Sequence, residues 1–239
     1  MTTIVGLSST YGDPGIVLAS DCKLNRHGSF VVGGSLETNW KTDFRKVYSH
    51  KNFAFTLAGS VSLESMSCLW NRLQLDLRVE GGIDVQKRLT SGLFNEIRDM
   101  NLACQLANEA NYFCEEKQAE FIFATNYGGV PNLYYVSPTG RVCHSEYSSA
   151  GNNDEIVGRN LRKAYESHDL DGAKLKLDEV FLLANGLVIE SGEEDTHTEC
   201  VTPDVVVVTK KSIKHFGKST REKMFEIRAQ DLKAISEGL

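Results

Sequence analysis

The order in which apolar periodicity changes along this chain fixes its class of architecture. Residues 2–7, 15–20, 29–32, 45–49 and 53–58 are short β-branched or apolar runs, punctuated by Asp13-Pro14-Gly15 and Gly59-Ser60. That is the pattern of strands closed by turns. The spacing then becomes helical over 62–75 and again over 83–106. Strand signals return at 119–125, 133–136 and 141–145, with Ser137-Pro138-Thr139-Gly140 as a hairpin turn. Helices are predicted over 154–167 and 175–189, strands over 201–209 and 211–215, and an amphipathic C-terminal helix over 219–235. Blocks of strands alternating with pairs of helices suit antiparallel sheets covered by helices and not a βαβ crossover series. The near-continuous apolar strands fit sheets buried on both faces. The expected fold class is therefore α+β, a four-layer αββα sandwich of two antiparallel sheets between helix layers. With no repeat and no low-complexity linker, residues 1–239 are expected to form a single domain, with a helical extension at about 217–239.

Composition narrows the function classes. The chain has 239 residues, is 41% hydrophobic and carries a net charge of −6. No run of Lys and Arg is dense enough to follow a phosphate backbone, so no nucleic-acid partner is expected. No apolar run approaches the roughly 20 residues that span a bilayer, and no signal peptide is recognisable, so the expectation is a cytoplasmic protein with no membrane partner. The six cysteines are scattered without a CxxC pair and read as free thiols of a reducing compartment. His197 and Cys200, and Cys143 beside His144, lack the second ligand pair of a zinc site, so neither a metal nor any other cofactor is expected.

The chemistry begins at Thr2. Removal of Met1 would leave a threonine hydroxyl beside a free α-amine. A hydroxyl is a weak nucleophile without an adjacent base. An α-amine with a pKa of about 7.7–8.0 is partly neutral near pH 7 and can take the hydroxyl proton. Asp21 ends the run Gly15-Ile-Val-Leu-Ala-Ser-Asp, Lys46 stands in Phe44-Arg-Lys-Val-Tyr, and Gly59 follows Thr56-Leu-Ala. A buried lysine beside the nucleophile would favour its deprotonated form, and Asp21 is the candidate partner of that lysine. A glycine after a buried strand can offer its N–H to an oxyanion. Each also fits a plain role: Lys46 a solvated strand lysine, Asp21 a turn carboxylate, Gly59 the residue that opens the following helix.

Together, Thr2-Thr3-Ile4-Val5-Gly6, the block 15–21, Lys46-Val47 and Ala58-Gly59-Ser60 resemble the successive signatures of proteasome β subunits and the related bacterial ATP-dependent proteases, in the family's order and at nearly its spacing. Extra residues around 9–14 lengthen the first hairpin. The resemblance covers about residues 2–210 and is specific over the first 60. It implies an N-terminal-nucleophile (Ntn) hydrolase: Thr2 as nucleophile with its own amine as base, Lys46 and Asp21 tuning that pair, and the Gly59 N–H in the oxyanion hole. Asn152 stands where the family has a serine. Asp195 and Thr198 are the nearest match to its Asp-x-x-Ser-Gly, with Glu199 in place of the glycine. These departures mark a divergent branch. The resemblance also implies Leu24, Asn25, Leu57 and Val61 as substrate-binding residues, and Phe44 and Tyr48 line the same pocket if Lys46 faces the site. The wall of Leu24, Phe44, Leu57 and Val61 is apolar, hence an expected preference for an apolar side chain before the cut bond. By strand alternation Phe44, Lys46 and Tyr48 share one face. The implied partners are a polypeptide or peptide substrate, further copies of the chain in a ring or spiral, and an unfoldase. Two other readings fit the same residues: a catalytically silent structural subunit, and an amidase or transpeptidase on the same scaffold.

Overall fold

The computed structural model describes residues 3–21, 24–25, 40–41, 46–50, 53–59, 119–126, 129–139, 141–151, 154–166, 175–194 and 203–216. The predicted helices over 62–75, 83–106 and 219–235 and the strand over 29–32 lie outside them, as does the C-terminal extension.

The strands are β1 (Thr3–Ser8), β2 (Gly15–Ser20), β3 (Leu24–Asn25), β4 (Trp40–Lys41), β5 (Val47–His50), β6 (Phe53–Ala58), β7 (Glu120–Thr125), β8 (Asn132–Val136), β9 (Val142–His144), β10 (Tyr147–Gly151), β11 (Asp204–Thr209) and β12 (Ile213–Phe216). The helices are α1 (Asp154–Glu166) and α2 (Leu177–Glu194). Two five-stranded antiparallel sheets form, in the orders β10-β1-β2-β11-β12 and β5-β6-β7-β8-β9, and β3 pairs with β4 separately. The chain is thus a mixed α+β protein built on two antiparallel sheets. The first sheet gains a strand that apolar patterning does not announce, since β10 is Tyr-Ser-Ser-Ala-Gly and pairs along the edge of β1. Helix α2 runs beyond its expected end, through Glu193 and Glu194.

The three central strands of the first sheet, β1, β2 and β11, are buried on both faces, which explains why they are apolar at most positions. On one face Val5, Leu7, Val17, Ala19, Val205 and Val207 meet α1 and α2 through Leu161, Val180, Phe181 and Leu187. On the other, Ile4, Ile16, Leu18, Val206 and Val208 pack against Val47, Ala54, Ala58, Ile122, Ala124 and Leu133 of the second sheet. Gly6 sits at this interface because nothing larger fits: a Cβ there would lie 2.5 Å from Ile122 Cγ2 and 2.9 Å from Leu133 Cδ1. The far face of the second sheet carries a row of buried aromatic rings, Phe53, Phe55, Phe121 and Phe123, with neighbouring centroids about 5–6.5 Å apart.

Register brings one set of strand ends together. Thr3 lies opposite Gly151, and Ser20 opposite both Ile4 and Asp204. In the second sheet Val47 lies opposite Thr56, and Ala58 opposite Glu120. The start of β1, the end of β2 and the start of β11 therefore share the end of the sandwich where β5 begins.

Candidate active site

Asp21 follows the last residue of β2 and is completely buried. A carboxylate held there requires partners, because an isolated buried charge is very costly. Among the described residues it has partners from both sides of the sheet pair. The Thr3 N–H donates to Oδ2 at 2.7 Å, and the Lys46 ammonium donates to Oδ1. The Asp21 N–H in turn donates to the Thr3 carbonyl at 3.2 Å, which continues the β1–β2 ladder by one residue. Lys46 itself is 6% exposed and immediately precedes β5. The resulting Lys46–Asp21 salt bridge crosses from one sheet to the other inside the protein.

A second carboxylate stands beside the first. Asp204, the first residue of β11, is buried one position away across the β2–β11 ladder. Its Oδ2 accepts the backbone N–H groups of Lys46 at 2.8 Å and Val47 at 2.9 Å. Its Oδ1 accepts a hydrogen bond from Nε2 of half-buried His215 on β12. Burial pushes the Asp204 carboxyl upward, but the His215 bond and the two amides outweigh it and hold the group below the ordinary aspartate range. Tyr48 titrates above its usual range, first because it is buried and then because the Asp204 charge opposes a phenolate.

The remaining expected site residues fall as follows. Gly59 closes β6, is exposed, and adopts φ +103°, a conformation that favours glycine. Leu24 and Asn25 form β3, opposite Lys41 and Trp40. Tyr48 stacks on Phe55 with centroids 5.1 Å apart, at the margin of the aromatic row. Leu57 is half-buried in β6, opposite Phe121. Of Phe44, Lys46 and Tyr48, expected to share one face, Tyr48 lies in β5, Lys46 directly precedes that strand and Phe44 lies outside the described residues. Thr2, Phe44, Val61, Asn152, Asp195 and Thr198 lie outside the described residues. Thr2 is joined through its peptide bond to the Thr3 nitrogen that Asp21 holds, and Gly151, bonded to Asn152, ends β10 opposite Thr3.

Sequence reasoning missed Asp204 and His215. The available signal was an aspartate directly preceding Val205-Val-Val-Val, where an apolar strand begins with a charge. Its partners His215, Val47 and Lys46 are 11, 157 and 158 positions away, so nothing local identified them. Among the described residues no group of His, Cys, Asp and Glu could hold a metal ion, and no helix is long and apolar enough to cross a membrane. The chain matches no protein-family model, and no curated protein matches it significantly.

Proposed function

We propose that this protein is a threonine-type endopeptidase of the proteasome β-subunit kind, with Thr2 as nucleophile once it is the first residue of the chain. The observation that carries the reading is the buried Asp21 carboxylate shared between the Lys46 ammonium and the Thr3 N–H. Burying an ion pair between two sheets does not by itself stabilise a fold, since well-packed apolar residues of similar volume often do as well or better. A cation fixed within one carboxylate of the chain start has a chemical use instead.

The reaction follows from that placement. The Thr2 hydroxyl attacks the substrate carbonyl carbon and gives its proton to its own α-amine, while the carbonyl electron pair moves onto oxygen. The Lys46 charge favours the deprotonated hydroxyl and the neutral amine over their protonated forms. The Gly59 N–H, on a backbone that leaves β6 at positive φ, stabilises the oxyanion. Collapse breaks the C–N bond, and the departing amine takes the proton held by the α-ammonium. Water then attacks the threonyl ester by the same route and releases the acid. Asn152, Asp195 and Thr198 complete the surroundings of the nucleophile. Leu24, Asn25, Phe44, Tyr48, Leu57 and Val61 form the pocket for an apolar side chain. The finer fold reading is a four-layer αββα sandwich, in which the buried aromatic row on the second sheet is a face for a helix layer. The assembly is a ring or spiral of identical chains in the cytoplasm, supplied with substrate by an unfoldase.

Intact mass of the purified protein with and without a peptide epoxyketone tests this reading, because that reagent closes a ring on both the hydroxyl and the amine of an N-terminal threonine. The expected result is a chain beginning at Thr2 that gains one adduct, and a Thr2→Ala variant that gains none and cleaves no fluorogenic peptide. A chain that retains residues before Thr2 and gains no adduct would overturn it.

A further inference from the structure

We propose that Asp204, braced by His215, is a positioning residue that sets where the Lys46 ammonium stands. The inference rests on the peptidase reading of the same site. Lys46 is held at both ends by carboxylates from neighbouring strands of the first sheet. Asp21 takes its ammonium, and Asp204 takes its backbone N–H and that of Val47. Strand β5 lies at the edge of the second sheet, where backbone groups facing away from β6 have no ladder partner among the described strands. Asp204 supplies that partner from the other sheet. A lysine side chain has four rotatable bonds, so its ammonium is only as well placed as the backbone from which it extends. Fixing that backbone by two bonds to one oxygen removes the displacement that would otherwise add to side-chain freedom. The His215 contact restrains the carboxylate through its other oxygen, so both lobes of Asp204 are engaged. The chain thereby transmits the placement of β11 and β12 to a cation on a different sheet.

Positioning makes a demand that a merely structural tie does not. Loss of Asp204 should slow the chemical step while substrate binding persists, because a displacement of about 1 Å near reacting groups can cost on the order of a hundredfold in rate. The experiment compares wild type, Asp204→Ala, Asp204→Asn, His215→Ala and Thr2→Ala. It reads the saturating first-order rate and the half-saturation concentration for epoxyketone labelling by intact mass, together with kcat and KM on a fluorogenic peptide ending in an apolar residue. For Asp204→Ala the saturating rate and kcat are expected to fall about a hundredfold, with half-saturation and KM changed by less than about threefold. Asp204→Asn keeps an acceptor oxygen for the two amides and should recover about a tenth or more of the lost rate. His215→Ala, at a half-buried position, should fold and lose about three- to tenfold in rate.

If Asp204→Ala does not fold, His215→Ala decides: a wild-type rate there overturns the proposal. A folded Asp204→Ala with a wild-type saturating rate, or with its loss confined to KM, also overturns it and leaves the peptidase reading intact. A wild type that neither labels nor cleaves, or a Thr2→Ala variant that remains active, overturns the peptidase reading and this inference with it.

Discussion

The two ends of the sheet pair are finished by different means. At one end, turns satisfy themselves locally. Ser9 Oγ accepts the Gly15 N–H at 2.8 Å and reaches the carbonyls of Asp13 and Gly15. Thr209 and Ser212 exchange backbone and hydroxyl bonds around the β11–β12 turn, and Asn126 bonds the Thr209 carbonyl across to the first sheet at 3.3 Å. Apart from the Asn126 bond, which spans 83 positions, these bonds are short-range, and all join uncharged groups that are exposed or part-buried. At the other end, buried charged side chains far apart in sequence join the sheets through Asp21, Lys46 and Asp204. A fold needs the first kind of closure, which costs little. The second places ionised groups where water is excluded, and such groups are the ones whose reactivity an environment can change most.

The sharpest way to break the contrast is Lys46→Ala. It leaves Asp21 buried with its strongest partner gone, and it is expected to lower unfolding free energy by about 3–5 kcal/mol in urea titrations and to abolish peptide cleavage. The double change Asp21→Asn with Lys46→Met should regain most of that stability, since neither charge of the pair remains buried, yet regain no activity. Recovery of cleavage by the double variant would show the charge pair to be structural only.

Next in size is Gly6→Ala in the middle of the sandwich. The added methyl meets Ile122 and Leu133, so about 1–3 kcal/mol of stability should be lost by overpacking. Turnover should fall as well, because the sheets it forces apart carry Asp21 and Lys46.

The acid limb of stability gives a smaller, signed effect. The Asp204 carboxyl titrates below its ordinary value of 3.8 in the folded protein. A depressed carboxylate contributes stability that is fully present above the unfolded range, about pH 4, and is lost as pH falls through the lower folded value. Asp204→Asn should therefore flatten the loss of stability below about pH 4, measured by denaturant midpoints across that range. A limb as steep as that of wild type would assign the acid sensitivity to other groups.

The smallest change belongs to the opposite end. Ser9→Ala should cost no more than about 1 kcal/mol and leave kcat unaltered. A change in turnover there would show that the two ends are coupled.

What could be read from sequence follows the same division. Strands β2, β6, β7 and β11 announce themselves, because a strand buried on both faces must be apolar nearly throughout and little else produces that pattern. Strand β10 does not, since Tyr-Ser-Ser-Ala-Gly derives its strand character from pairing with β1 and not from its composition. Asp21 and Lys46 were legible as a candidate pair only through their company with Thr2 and Gly59. Asp204 was not, because its role is defined by two amides on the other sheet, and a backbone N–H has no letter of its own in a sequence.

The missing side chain at Gly6 has a further consequence. Ile122 and Leu133 settle into the notch it leaves between Ile4 and Ser8, as a pawl drops into the gap of a ratchet. Sliding one sheet along the other by a single residue, about 3.3 Å, would lift both out of their seat and carry Lys46 away from Asp21 by the same distance. The alignment of the charges is thus indexed from the hydrophobic middle of the molecule, where an absent methyl group serves as the gauge.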